Sequence, residues 1–228
     1  MRTTLERIGV VVPAHQEQDR LPACLAALQV AAAGSPVPVE LLVVADACTD
    51  ATVPLARAAG AGVLEIDARN VGAARAAGWR QLCPSPAPGI WLATTDADTL
   101  VPPDWLARMV AYADAGWDAV VGTVQVDDWA EAGRSDRLRR AWLATYVAAA
   151  EHVHGANLGV RASSYAAVGG VPEQTLSEDA GLVQALRDAG QRVRYASDIP
   201  VVTSARSSDR APGGFASYLD GLEQASGA

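Results

Sequence analysis

"WLATTDADTLVPPDW", running from Trp91 to Trp105, decides the fold. Its apolar start stops abruptly at two carboxylates, Asp96 and Asp98, one alanine apart, and Pro102 and Pro103 then open a new segment. A short apolar run bounded by polar residues reads as a buried strand, and proline suits the first turn of the helix that follows. The same unit repeats upstream. Strands are expected at Ile8–Val12, Val39–Ala45, Val63–Ile66 and Ile90–Thr94, alternating with helices at Leu21–Ala33, Thr52–Ala59 and Val71–Leu82. Such alternation is the signature of βαβ units, hence a Rossmann-like α/β/α sandwich with a mainly parallel central sheet.

Downstream, the spacing predicts a helix from Pro102 to about Ala115 and a strand over Val120–Val126. A long helix follows from Ser135 to about Val153, capped by Ser135 or Asp136. Gly155–Val160 reads as a strand, Ser163–Val168 and Asp179–Ala189 as helices, and Val193–Tyr195 and Pro200–Thr203 as two short strands. No segment is long enough to be a linker, so residues 1–228 are expected to form a single domain.

The chain is acidic, with a formal net charge of −8, and has no basic run, which argues against nucleic acid as a partner. Cys24, Cys48 and Cys83 form neither a disulfide framework nor a zinc pattern, and a reducing compartment fits them best. The N-terminal apolar stretch is too short for a secretory leader and no run reaches membrane-spanning length, so no integral membrane segment and a cytoplasmic location are expected.

In open parallel sheets ligands bind beyond the carboxyl ends of the strands. The unusual polar residues fall there: His15, Gln16 and Glu17, then Asp46, Asp67, Asp96 and Asp98. Neither a GxGxxG turn nor a GxxxxGK[ST] loop follows the first strand, so no glycine-rich loop cradles phosphates. Two carboxylates so close repel unless a cation compensates, and Mg²⁺ or Mn²⁺ takes one or two carboxylates while leaving positions for substrate phosphates. Glu178 and Asp179 open a helix; they fit an acidic helix start or a general base, and spacing alone leaves both open.

Six segments, "VVPAHQEQDRL", "LLVVADACTDAT", "NVGAARAAGWR", "ATTDADTLVPPDWL", "GANLGVRASSYAAVGGVPE" and "LSEDAGLVQALRDAG", occur in the order seen in family 2 glycosyltransferases of the GT-A fold. The resemblance covers about residues 7–203. It implies a nucleotide-sugar-binding half over about 7–126, an acceptor half over about 127–205 and a C-terminal tail. It implies donor contacts from Pro13, Ala14, Gln16, Glu17, Asp46, Asn70, Gly72, Arg75 and Asp96. The metal falls to Asp98, with Asp96 beside it. Gly155, Ala156 and Asn157 match the sugar and acceptor platform, and Glu178 and Asp179 the catalytic acidic pair, with Asp179 at the base position. The implied reaction is inverting transfer of one sugar from a nucleotide-diphosphate donor to an acceptor hydroxyl. A nucleotidyltransferase and a non-catalytic nucleotide-sugar-binding protein are the competing readings.

The chain also departs from the family pattern. The family often has an acidic pair followed by small polar residues after the second strand, whereas here Ala47 and Cys48 follow Asp46; Gln-x-x-Arg-Trp is absent, and no histidine follows His154. Arg206 and Arg210 are therefore candidates to close over the diphosphate. His154 is placed in the acceptor pocket or a structural hydrogen bond, with metal ligation by His152 and His154 a weaker reading. Trp129 is a candidate sugar-stacking platform.

Overall fold

The computed structural model of the chain describes residues 4–85, 87, 89–148, 151–171, 178–206 and 215–227. Strands β1 (Arg7–Ala14), β2 (Val39–Asp46), β3 (Gly62–Ile66) and β4 (Ile90–Thr94) alternate with helices α1 (Leu21–Ala33), α2 (Thr52–Ala58) and α3 (Val71–Leu82). Then come α4 (Trp105–Asp114), β5 (Ala119–Val126), α5 (Asp136–Ala148), β6 (Leu158–Arg161), α6 (Ala162–Ala167), α7 (Glu178–Asp188), β7 (Val193–Thr203) and α8 (Phe215–Gly227). The seven strands form one sheet in the order β3-β2-β1-β4-β6-β5-β7.

Period-two alternation sorts each central strand between two cores. In β1, Ile8, Val10 and Val12 face a core shared with α1, α2 and α4, whereas Val11 faces one shared with α3, α6 and α7. In β4, Trp91 and Ala93 take the first face, Ile90 and Leu92 the second. Helices on both faces of the sheet make the α/β/α sandwich expected from the sequence.

The strand β1 pairs in parallel with both β2 and β4. The chain winds outward in opposite directions from that pair, and the crevice between the carboxyl ends of β1 and β4 is the switch point where such sheets bind ligands. Pro13 to Glu17 and Thr95 to Asp98 lie there.

Three expectations need correction. Gly155–Asn157 is a 3-10 turn, and only Leu158–Arg161 is strand, antiparallel to β4 and β5. The turn is closed by the Asn157 amide, which donates to the His154 carbonyl at 2.9 Å. The long helix stops short of Val153: residues 151–154 are not helical, and His152 turns back so that its ring stacks on Tyr146 with centroids 4.0 Å apart. The two late strands are one, β7, with a register shift opposite Gly122–Val124. "SDIP" reads locally as a turn, but an edge strand tolerates Pro200. Ser135 does cap α5, its hydroxyl accepting from the Leu138 amide at 3.1 Å.

Candidate active site

The rim is built by backbone that the first three strands hand to their loops. Gln16, Ala47 and Arg69 all have positive φ, at 56°, 52° and 50°, and each lies just beyond β1, β2 or β3. Non-glycine residues adopt this region rarely, and such strain clusters where a site is held in a fixed shape. Gln16 does part of the holding: its Oε1 accepts from the Thr49 and Asp50 amides and its Nε2 donates to Thr49 Oγ1. Asp46 does more. Its carboxylate accepts from the amides of Ala68, Arg69 and Asn70 at 2.7 to 2.8 Å, and it is buried. The Asp46 oxygens are thus engaged by the loop after β3 and fix its shape. Asn70 caps α3 by accepting from Ala73, and Pro13 and Ala14 supply the buried end of β1.

Arg75, on α3, is the centre of a buried charge cluster. Its guanidinium is buried, reaches Asp96 Oδ1 at 2.6 Å and bonds Glu178 Oε1. Burial disfavours its charge, but Asp96, Glu178 and Asp179 outweigh that and hold its pKa above the usual arginine value. Two glycines make room. A Cβ on Gly72 would fall 2.8 Å from Glu178 Cγ, and one on Gly155 2.4 Å from the Arg75 guanidinium carbon. Glu178 is thus the counter-ion beneath Arg75. Asp179, the next residue, stays half-buried; its Oδ2 accepts from the Gly155 amide at 2.6 Å and its Oδ1 from Ala180. Arg75 therefore ties the carboxylate at the end of β4 to the start of α7, and Asp179 comes with it.

On the donor side Arg206, just past β7, bonds Glu17 and lies 3.1 Å from Asp98. Burial raises the Asp98 carboxyl to about 6, with Arg206 opposing and Asp96 and Glu17 adding to the rise. Two residues that sequence reasoning missed fix this segment. Asp128 accepts from Ser204 Oγ at 2.6 Å and from the Ala205 amide at 2.7 Å; Arg134 donates to the Ala205 carbonyl at 2.8 Å and to Asp220 at 2.5 Å. Both lie in the polar stretch "DDWAEAGR", whose composition reads as loop. Arg210 lies outside the described residues. A cavity of about 80 Å³ lined by Arg20, Asp98, Asp128 and Ser204 opens beside Asp98. A larger one of about 420 Å³, lined by Arg108, Tyr112, Trp117 and Arg194, lies on α4 and β7 and contains none of the expected residues.

Two residues expected on the acceptor side are enclosed by protein. Asn157 is fully buried, donates to Thr123 and Ile199 carbonyls and accepts from Trp105 Nε1, so its amide is satisfied by protein. Trp129 is also buried, against Trp142, with its Nε1 bonded to the Val126 carbonyl, and it offers no face to a sugar. His154 is different. Burial pushes its pKa down to about 4, although Asp179 pulls the other way, and its buried Nε2 has no hydrogen-bond partner among the described residues. It lies near the rings of Tyr146, His152 and Phe215. His154 is thus a neutral imidazole beside Asp179.

This depressed value has a stability consequence. Between the unfolded histidine value of about 6.5 and the folded value of about 4, the unfolded chain binds the proton and the native one does not, so stability falls as pH drops through that window. His154→Gln should remove about 2 kcal/mol of the stability lost between pH 7 and pH 4.5. Urea unfolding of both proteins at the two pH values measures this; equal losses would show that His154 titrates normally.

The family model described as "Glycosyl transferase family 2" matches residues 9–168, well over half of the chain. The chain belongs to glycosyl transferase family 2. Its similar curated proteins include undecaprenyl-phosphate 4-deoxy-4-formamido-L-arabinose transferases from Serratia proteamaculans, 33% identical over 135 residues, and Klebsiella pneumoniae, 35% identical over 128. The aligned stretches cover 55% and 53% of this chain but only 40% and 37% of those proteins. Among solved structures, a Pyrobaculum calidifontis mannosyltransferase in complex with GDP-Man and Mn²⁺ has TM-score 0.68 at 23% identity, covering 91% of this chain and 59% of that one. Staphylococcus aureus TarS in complex with UDP-GlcNAc has TM-score 0.67 at 15% identity, covering 96% and 65%. These likenesses show the GT-A fold.

For this family 2 chain, the donor set at the switch point fits a hard divalent ion. Asp98 and Asp96 offer carboxylate oxygens, and burial leaves the Asp98 charge under-compensated despite Arg206. Among the described residues no group of three or more His, Cys, Asp or Glu is arranged to hold a metal. One or two carboxylates with the rest supplied by phosphate is what Mg²⁺ or Mn²⁺ accepts. Neither His152 nor His154 joins such a set: the His152 ring nitrogen lies 2.7 Å from the Tyr146 carbonyl, and His154 is surrounded by rings. Among the described residues no helix is long and apolar enough to cross a membrane.

Proposed function

We propose that this chain transfers one sugar from a nucleotide-diphosphate-sugar donor to an acceptor hydroxyl with inversion at the anomeric carbon, and that it does so in the cytoplasm. The observation that carries the reading is the Arg75 bridge, which sets Asp96 at the switch point and Glu178-Asp179 opposite it as one unit. The donor lies across the ends of β1, β2 and β4, over the loops fixed by Gln16 and Asp46, with its sugar towards Asp96 and Gly155. Asp98, with Asp96, would hold Mg²⁺ or Mn²⁺, which neutralises charge on the diphosphate as it departs. Asp179 takes the proton from the acceptor hydroxyl as that oxygen bonds the anomeric carbon. The carbon-oxygen bond to the diphosphate breaks on the opposite face, and its electron pair leaves with the phosphate.

The Gly155 amide orients the Asp179 carboxylate, and Arg75 with Glu178 holds Asp96 in place. The relatives' names support a nucleotide sugar as donor: GDP-Man and UDP-GlcNAc are bound by the two structural neighbours.

The test is a melting-temperature screen of nucleoside diphosphates and nucleotide sugars with and without Mn²⁺. A ligand at about 100 times its dissociation constant adds about 2.7 kcal/mol to stability, a shift of several degrees. At least one nucleotide should raise the melting temperature, and Asp98→Ala should remove the extra rise given by Mn²⁺. Absence of any shift would end the donor-site reading, and an undiminished Mn²⁺ effect in Asp98→Ala would move the ion elsewhere.

A further inference from the structure

Arg206 occupies a position that the diphosphate role alone does not explain. Its guanidinium bonds Glu17 and Asp98 together, one on the loop after β1 and the other after β4. Those carboxylates face each other across the switch point, and Asp96 adds a third negative charge close by. Arg206 is not a loose tail cation. Its amide donates to Ser204 Oγ at 3.2 Å, the same hydroxyl donates to Asp128, and Arg134 grips the intervening carbonyl. Arg20 closes the arrangement from α1, 3.4 Å from Asp128. Its backbone is thus fixed by two buried residues on the segment after β5, while the side chain reaches the carboxylates at the switch point.

The Asp98 oxygen nearest Arg206 belongs to the carboxylate that would hold the divalent ion. A guanidinium and a divalent cation repel, and both cannot neutralise one carboxylate at contact distance. We propose that Arg206 is a resident counter-ion, paired with Glu17 and Asp98, that competes with the divalent ion for Asp98 and yields only when the donor diphosphate arrives to receive it. This rests on the donor site proposed above. Without nucleotide, the ion must displace the guanidinium from its ion pair with Asp98 to enter. With nucleotide, the displaced guanidinium finds a diphosphate, for which its fork of donors is well matched. The ion and the nucleotide then bind with positive coupling, each tightening the other by the same factor.

Removing the guanidinium should move the two affinities in opposite directions, which a merely structural arginine would not do. By calorimetry, Arg206→Gln should bind Mn²⁺ alone roughly tenfold more tightly than the unsubstituted protein, and should bind UDP or GDP at saturating Mn²⁺ roughly tenfold more weakly. Arg206→Lys, which keeps the charge but loses the planar fork of donors that suits a diphosphate, should fall between them in both measurements. Wild-type circular dichroism and melting temperature in the variants confirm that folding is intact; should Arg206→Gln not fold, the Lys variant carries the same test. Unchanged Mn²⁺ affinity, or weakening of both ligands together, would overturn the proposal. If neither UDP nor GDP binds any of the proteins while Mn²⁺ still tightens in Arg206→Gln, the competition stands and the donor reading fails.

Discussion

Arg75→Gln is expected to cost about 3 to 5 kcal/mol of folding stability, the largest effect of any single substitution at the rim, because it leaves buried charge without its partner. The guanidinium has Glu178 on one side and Asp96 at 2.6 Å on the other, and Gly155 is packed over it so closely that no side chain fits between. Glutamine keeps some hydrogen bonding but no charge. Urea unfolding should show the loss, and transfer should fall with it because Asp96 and Asp179 are no longer held in register. Arg75→Lys should recover part of the stability, since one ammonium cannot form two separate contacts with planar geometry. The double change Arg75→Met, Glu178→Met should be less damaging than Arg75→Gln alone, because an apolar pair leaves only Asp96 to find solvent, and Asp96 is already about a third exposed. A loss within about 1 kcal/mol for Arg75→Gln would mean that Glu178 needs no counter-ion.

The sequence made the sandwich legible because each of its first four strands carries its own punctuation: a β-branched run, then polar residues, then a helix with alternating small and large apolar positions. Asp96, Asp98 and Asp179 drew attention as chemistry-bearing residues at or near element ends, whereas Arg75, inside α3, was picked out only by the family resemblance. The acceptor side was harder to read, since its geometry depends on contacts between distant segments. Asn157 looks like a binding residue in "GANLGV" and is instead bonded to Trp105, Thr123 and Ile199, which are 34 to 52 positions away. Trp129 looks exposed in a polar stretch, yet Trp142 and Val126 bury it. Asp128 and Arg134 gave no local signal, because an acidic or basic residue in a loop looks like solvated surface until its distant partner is known. The gap expected between Val193–Tyr195 and Pro200–Thr203 falls where β7 has no β5 partner for residues 197–200, so the strand is held by the pairing on either side of it.

Asp179→Asn is expected to lower turnover by about 10² to 10⁴ if the acceptor is a hydroxyl, the usual contribution of a positioned general base. Asparagine is nearly the same size but can accept from only one of the two amides, Gly155 and Ala180, that now bond the carboxylate, so a loss of about 1 kcal/mol in stability should accompany it. Nucleotide binding with Mn²⁺ should be unchanged, since Asp179 lies on the acceptor side of Arg75. The size of the rate effect also decides the chemical class of acceptor. A polyprenyl phosphate, which the names of the bacterial relatives contain, offers an oxygen that is already ionised and needs no base; for it the substitution should cost less than about tenfold. An anionic acceptor would instead need a cation beside the reacting oxygen. Among the described residues around Asp179, Arg75 is bonded to two carboxylates and burial lowers the His154 pKa, and the proposal of a hydroxyl acceptor rests on that arrangement. Single-turnover rates of wild-type and Asp179→Asn protein on a hydroxyl and on a lipid phosphate acceptor, with nucleotide affinity as the control, separate the two: a large loss on the first confirms the base, and a small loss on the second as the faster substrate would remove Asp179 from the proton transfer.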